Sequence, residues 1–282
     1  MLHDLCNTED ALPHFDLHMN DNLKNCRLFL LDMDGTLYLG DEVFPMAVDF
    51  VRMLSGTGRR YIYLTNNSSR AGCDYVGRLQ NLGFPCTEED VFTSGMATAM
   101  YLNSAMPGKR VYPVGTQAFC RELQSYGIEF SSFAPEAVVV GFDRELNYKK
   151  LEDAVHFLRR GAAFIAANPD LVCPMPENEV LPDCGSICAL LTAATGRTPT
   201  YIGKPERRMV ELLSARTGIA AEQICCVGDR LYTDIAVAKN AGAVSALLLS
   251  GETDREMLEA SPVKPDYVFE NIAELYLYLT GG

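Results

Sequence analysis

Residues Arg27 to Leu31 form an almost unbroken apolar run that stops abruptly on acid and glycine, Asp32-Met33-Asp34-Gly35. Such a run fits a strand buried on both faces of a parallel sheet. Parallel strands need crossover connections, and the following residues supply them. A helical stretch from Pro45 to Leu54 leads to a second apolar run, Tyr61 to Leu64. Helices are then predicted over Ala71 to Leu82, closed by Gly83, and over Ser94 to Asn103, with Ser94 as N-cap. This alternation is the signature of βαβ units.

The middle of the chain repeats the theme. Strands are predicted at Val111 to Val114, Ala137 to Val140 and Ala163 to Ala166, and helices at Gln117 to Tyr126 and Tyr148 to Arg160. A Pro- and Asn-rich loop runs from Asn168 to Pro182. From Thr200 onward, strands at Ile224 to Val227 and Val244 to Leu249 alternate with helices at Arg207 to Thr217 and Asp234 to Ala241. The expected fold class is therefore α/β. Residues 27–103 and 198–282 form one Rossmann-like, doubly wound parallel-sheet core, residues 104–197 an inserted α/β domain, and residues 1–26 a loosely held extension.

Composition narrows the function. A net charge of -13 and a pI near 4.8 repel a phosphate backbone, which argues against a nucleic-acid polymer as partner. No window approaches the roughly 20 apolar residues that span a bilayer, and Met1 to Cys26 is polar and acidic without an apolar signal core. A cytoplasmic protein without membrane association is expected. The ten cysteines are scattered through apolar segments, there is no CxxC, and three of the four histidines precede residue 20. Reduced core cysteines are expected rather than a disulfide framework or a zinc site, with Cys184 and Cys188 sharing a helical face.

Four polar segments stand at predicted strand ends, where open α/β sheets collect their catalytic groups. The first is Asp32-Met33-Asp34-Gly35-Thr36, whose two carboxylates can reach a metal if the chain turns. Gly35 permits that turn and frees backbone N–H groups for an anion. The second, Thr65-Asn66-Asn67-Ser68-Ser69-Arg70, joins a hydroxyl and amides to a helix N-terminus, a natural phosphate receptor. The third is Gly203-Lys204-Pro205, whose lysine can neutralise a phosphate and orient a carboxylate. The last, Gly228-Asp229-Arg230-Leu231-Tyr232-Thr233-Asp234-Ile235, supplies two more acids suited to Mg²⁺. Each segment alone reads equally well as a polar turn, an N-cap or a surface charge. Their order at successive strand ends of one sheet is what accident does not produce.

In that order the segments resemble the motifs of the haloacid dehalogenase superfamily, and TNNSSR, GKP and GDRxxTDI are similar to its NagD-type, or p-nitrophenyl phosphatase, branch. Members of that branch carry a C2-type α/β cap between the second and third motifs, and Val140-Gly141-Phe142-Asp143 and Ala167-Asn168-Pro169-Asp170 resemble segments of that cap. The chain departs from the branch at Asp183 and Cys184, which stand where smaller residues are usual. The resemblance implies a phosphatase that hydrolyses small phosphate monoesters. Asp32 is implied as nucleophile and Asp34 as general acid and base, with Lys204 completing the catalytic set. Gly35, Thr65, Asn66 and Lys204 are implied to bind phosphate. Mg²⁺ is implied as cofactor, held by Asp32, Asp34 through its carbonyl, Asp229 and Asp234.

Asn67, Asn168, Asp170 and Asp183 are the candidates for contacting the leaving group. The two cap acids lead to the expectation that neutral or cationic leaving groups outperform anionic ones. Cap-mediated pairing in relatives implies a possible homodimer. The alternatives are a phosphotransferase or mutase using the same aspartyl phosphate and, outside enzymes, a phosphoacceptor signalling module, which a lid of nearly a hundred residues disfavours. Carbon–halogen hydrolysis would leave Asp34 without a proton to transfer. Dinucleotide binding fails because Gly56-Thr57-Gly58 runs into a strand, not a helix.

Overall fold

The computed structural model describes residues 22–175 and 179–281. The chain opens with β1 (Leu28–Leu31), a short hairpin of β2 (Tyr38–Leu39) and β3 (Glu42–Val43), α1 (Ala47–Gly56), β4 (Arg60–Thr65), α2 (Gly72–Asn81), β5 (Val91–Thr93) and α3 (Ser94–Ala105). The insertion contains β6 (Val111–Val114), α4 (Gln117–Ser125), β7 (Ala137–Val140), α5 (Tyr148–Arg159), β8 (Ala163–Ala166), β9 (Val172–Pro174), β10 (Val180–Pro182), α6 (Cys184–Thr195) and β11 (Thr200–Tyr201). The chain then continues through α7 (Arg208–Thr217), β12 (Ile224–Gly228), α8 (Ala236–Ala241), β13 (Val244–Leu248), α9 (Arg255–Ala260), β14 (Tyr267–Phe269) and α10 (Ile272–Thr280).

The main sheet has the order β14-β13-β12-β1-β4-β5 and is parallel throughout. From β1 the chain steps outward through β4 and β5, and after the insertion it returns to the other side of β1 as β12. The carboxyl ends of β1 and β12 therefore flank the point where strand order reverses, the place where open α/β sheets bind ligands. Alternation of side chains sends Phe29, Leu31, Tyr63 and Val227 into one apolar cluster with α1, α2 and α10. Leu28, Leu30, Ile62 and Cys226 enter another with α3 and α7. Burial on both faces explains why these strands read as continuous apolar runs.

The insertion is a second parallel sheet, ordered β11-β8-β7-β6. One face packs Val138, Val140 and Phe164 against α5 and α6, where Cys184 and Cys188 are buried side by side with Leu191. The other face sends Val111, Val139 and Ile165 into the same cluster as Ala97, Ala99 and Leu102 of α3. The cap thus shares a continuous apolar contact with the core.

Several expectations shift. Residues 198–201, read from sequence as core, instead place Thr200 and Tyr201 beside β8 in the cap sheet, so the return to the core falls after them. Strand β11 is too short to announce itself without its partner. Leu23 and Cys26, in the segment read as extension, are buried in the main core; residues 1–21 lie outside the described residues. The stretch Asn168 to Pro182 contains the antiparallel hairpin β9–β10 rather than loop alone. Thr93, not Ser94, caps α3, because its hydroxyl accepts the Met96 N–H at 2.9 Å. Residues Leu231–Ile235 form a π-helical turn before α8 instead of an α-helix starting at Asp234. The described cysteines are free, and no described helix is long and apolar enough to cross a membrane.

Candidate active site

Three of the expected carboxylates meet at the switch point. One oxygen from each of Asp32, Asp229 and Asp234 lies within 4.8 Å of the others. Asp32 follows β1 and Asp229 follows β12, so strand register alone sets them side by side. Asp234 is brought back by the π-helical turn, where its Oδ2 accepts the Arg230 N–H at 3.2 Å. The side chain of Asp34 is not in this group, and only its carbonyl was implied as a ligand. Two contacts orient Asp229: the Thr36 hydroxyl donates to Oδ1 at 3.2 Å, and the Glu252 N–H to Oδ2 at 2.7 Å.

Lys204 enters from the far side of the insertion and is almost fully buried. Its Nζ donates to Asp32 Oδ1 at 2.6 Å and to Asp234 Oδ1 at 2.5 Å. Burial works against its charge, but Asp234 and Asp32 outweigh it and raise the pKa. On Asp32 the balance goes the other way, with desolvation first and Asp234 second raising the pKa against Lys204. Burial followed by Asp234 also lifts Asp229, to about 6. Three acids facing one lysine leave an excess of negative charge, and the donors are all oxygen. This set fits a hard divalent cation.

Gly35 is required here for two reasons. Its φ is +87°, and a Cβ would lie 2.4 Å from Asp229 Oδ2. Its N–H, expected to serve an anion, instead donates within a local turn to the Tyr38 carbonyl at 2.9 Å. Thr65 ends β4 with its hydroxyl oxygen accepting the Asn67 N–H at 3.1 Å. The Asn67 side chain accepts from both Ser69 N and Ser69 Oγ, at 3.0 and 2.7 Å, and so shapes the loop.

Asn66 is not free to bind phosphate through its amide. Its Oδ1 accepts the Lys204 N–H at 2.8 Å, and its Nδ2 donates to the Lys204 carbonyl at 2.9 Å and to Asp170 Oδ2 at 3.0 Å. Asn168 is buried and donates to the Asn66 carbonyl at 2.6 Å. Asp183 is the N-cap of α6, with Oδ1 accepting the Cys184 N–H at 2.5 Å, and burial pushes its pKa up to about 7.

Asp34 is exposed, yet protein surrounds it closely enough that desolvation raises its pKa. Arg78, Arg230, Arg70 and Lys204 oppose that rise, in decreasing order. Arg78 is tied to the hairpin through the Gly40 carbonyl, and Arg230 Nε lies 2.7 Å from Glu252 Oε2 as an ion pair without hydrogen-bond alignment. These guanidiniums, and the capping role of Asp183, remove much of the basis for expecting a cleft that repels anionic leaving groups. Arg230 was visible inside the GDRxxTDI segment. Glu252, from the loop after β13, carried no signal in the sequence.

Residues 29–129 match the family described as haloacid dehalogenase-like hydrolase, and residues 201–275 match an HAD-hydrolase-like family. The 5′-nucleotidase YutF of Bacillus subtilis is 35% identical over 257 residues, covering 91% of this chain and 100% of that protein. Among solved structures, the 4-nitrophenylphosphatase of Thermotoga maritima superposes with a TM-score of 0.88 at 41% identity, covering 92% of this chain and 99% of the other. A glycerol phosphate phosphatase of Mycobacterium tuberculosis, solved in complex with magnesium, gives 0.83 at 35% identity, covering 92% and 78%. By these matches the chain belongs to the haloacid dehalogenase-like hydrolases, in their NagD and p-nitrophenylphosphatase branch, and is a hydrolase of phosphoric monoesters.

Proposed function

We propose that the chain hydrolyses small phosphate monoesters, such as sugar, nucleotide or cofactor phosphates, through an aspartyl phosphate on Asp32, with Mg²⁺ as cofactor. The observation that carries this reading is Lys204 Nζ held 2.6 Å from Asp32 Oδ1 beside Asp229 and Asp234 at the switch point. A carboxylate oxygen of Asp32 attacks phosphorus and forms a P–O bond, while the ester oxygen departs with the proton of Asp34. Asp34 then takes a proton from water, whose oxygen attacks the same phosphorus, breaks the acyl–phosphate bond and returns Asp32 as carboxylate. The raised pKa of Asp34 favours the protonated form that the first step requires. Asp32, Asp229, Asp234 and the Asp34 carbonyl would hold Mg²⁺, which supplies Lewis-acid neutralisation of phosphate charge among these acids. Lys204 and Thr65 stabilise the transferring oxygens.

The relatives' names differ in leaving group and agree in the phosphoryl end, which supports a conserved reaction with a variable cap. Phosphate release measured across phosphomonoesters tests the class directly. Exhaustive chelation with EDTA is expected to reduce release to background and excess Mg²⁺ to restore it; full activity after chelation refutes the metal assignment.

Seating of the cap on the Asn66 loop also limits leaving-group size. Nucleoside monophosphates and sugar phosphates are expected to be turned over, and a folded phosphoprotein rejected. Comparable kcat/KM on the folded phosphoprotein would contradict a closed cap.

A further inference from the structure

Glu122 of α4 ties cap to core by accepting the Gly72 N–H and the Thr93 hydroxyl, each at 2.7 Å, and three further polar ties fall on residues 66–69. Thr116 donates to the Ser69 carbonyl at 2.9 Å, the Phe142 N–H donates to Ser68 Oγ at 2.8 Å, and Asn168 holds the Asn66 carbonyl. Asn168 also accepts the Asp170 N–H at 3.1 Å, so it grips Asn66 and sets Asp170 against the Asn66 amide. Both hydrogens of Asn66 Nδ2 are then committed, one to the Lys204 carbonyl and one to Asp170, while Oδ1 receives the Lys204 N–H. Turning this amide over would bring its NH₂ against an N–H and its oxygen against two acceptors. Gly203 permits the close approach, since a Cβ there would lie 2.6 Å from Asn66 Oδ1. The remaining oxygen of Asp170 is buried without a hydrogen-bond partner.

We propose that Asp170 and Asn168 are positioning residues, through which docking of the cap fixes the backbone of Lys204 by way of Asn66 and so aims Nζ at Asp32. The proposal rests on Lys204 serving the reaction proposed above. It assigns the two residues a role that does not depend on the leaving group, whereas a substrate contact would act on some leaving groups and not others.

The test combines kinetics with hydrogen exchange in the metal-free protein. Asp170→Ala and Asn168→Ala are expected to lower kcat roughly 10- to 100-fold, by the same factor for p-nitrophenyl phosphate and for a sugar phosphate, with KM little changed. Asp170→Asn, which keeps an acceptor for Asn66, should retain most of the rate. In both alanine variants the peptide carrying the Lys204 amide should exchange faster than in wild type, and in Asp170→Asn it should not. A rate loss confined to one substrate, or unchanged exchange at Lys204, overturns the proposal. Wild-type protein that releases no phosphate would refute the phosphatase reading, while the exchange experiment still decides the relay. Should Asp170→Ala fail to fold, Asn168→Ala carries the same expectations.

Discussion

Asp32→Asn is expected to lose turnover by on the order of 10⁴- to 10⁶-fold, the scale on which removal of a covalent nucleophile acts. An amide oxygen cannot form the acyl phosphate, yet Asn is nearly isosteric and still accepts from Lys204 Nζ. The fold should therefore survive. Desolvation and Asp234 raise the pKa of Asp32 in the folded metal-free protein. A carboxyl whose folded pKa is raised binds its proton more tightly folded than unfolded, so stability falls as pH climbs from the unfolded pKa through the folded one. Replacing it by a neutral amide removes that loss. Thermal melts of metal-free protein at neutral pH should show Asp32→Asn at least as stable as wild type, with a flatter decline as pH rises. Retained phosphate release beyond a trace would refute the covalent mechanism.

Lys204→Met should show the opposite pairing of effects. Met fills similar space without charge, leaving buried Asp234 and part-buried Asp32 beside each other without the ammonium that stood 2.5 and 2.6 Å from them. Removing one partner of a buried pair costs about 3–5 kcal/mol, because the remaining charge is stranded. Loss of a buried cation that meets transition-state charge lowers kcat by roughly 10²- to 10³-fold. Added Mg²⁺ should recover part of the stability, since it neutralises the same acids, and little of the rate. A variant as stable as wild type without metal would show that these acids are protonated or solvated, and that Lys204 does not hold the cluster together. Thermal melts with and without Mg²⁺, alongside steady-state kinetics, separate these outcomes.

Much of this site was legible in the chain. The apolar runs ending at Asp32, Thr65 and Gly228 announced buried parallel strands, and βαβ winding sends their carboxyl ends to one edge, so Asp32, Thr65 and Asp229 had to gather there. Those signals are local: periodicity, caps and turn residues act over a few positions. The roles of Asn66 and Asn168 were not legible, because an amide is chosen as ligand or clamp by partners far away in sequence. Asn66 meets Asp170 across 104 residues and Lys204 across 138. Likewise Thr200 and Tyr201 joined the cap sheet by pairing with Ile165 and Ala166 of β8. Sequence determined which chemistry reaches the sheet edge, because strand direction and register follow from short-range pattern. Tertiary structure alone decided which polar atoms remain available to a substrate, because most buried donors and acceptors are satisfied by partners that packing brings to them.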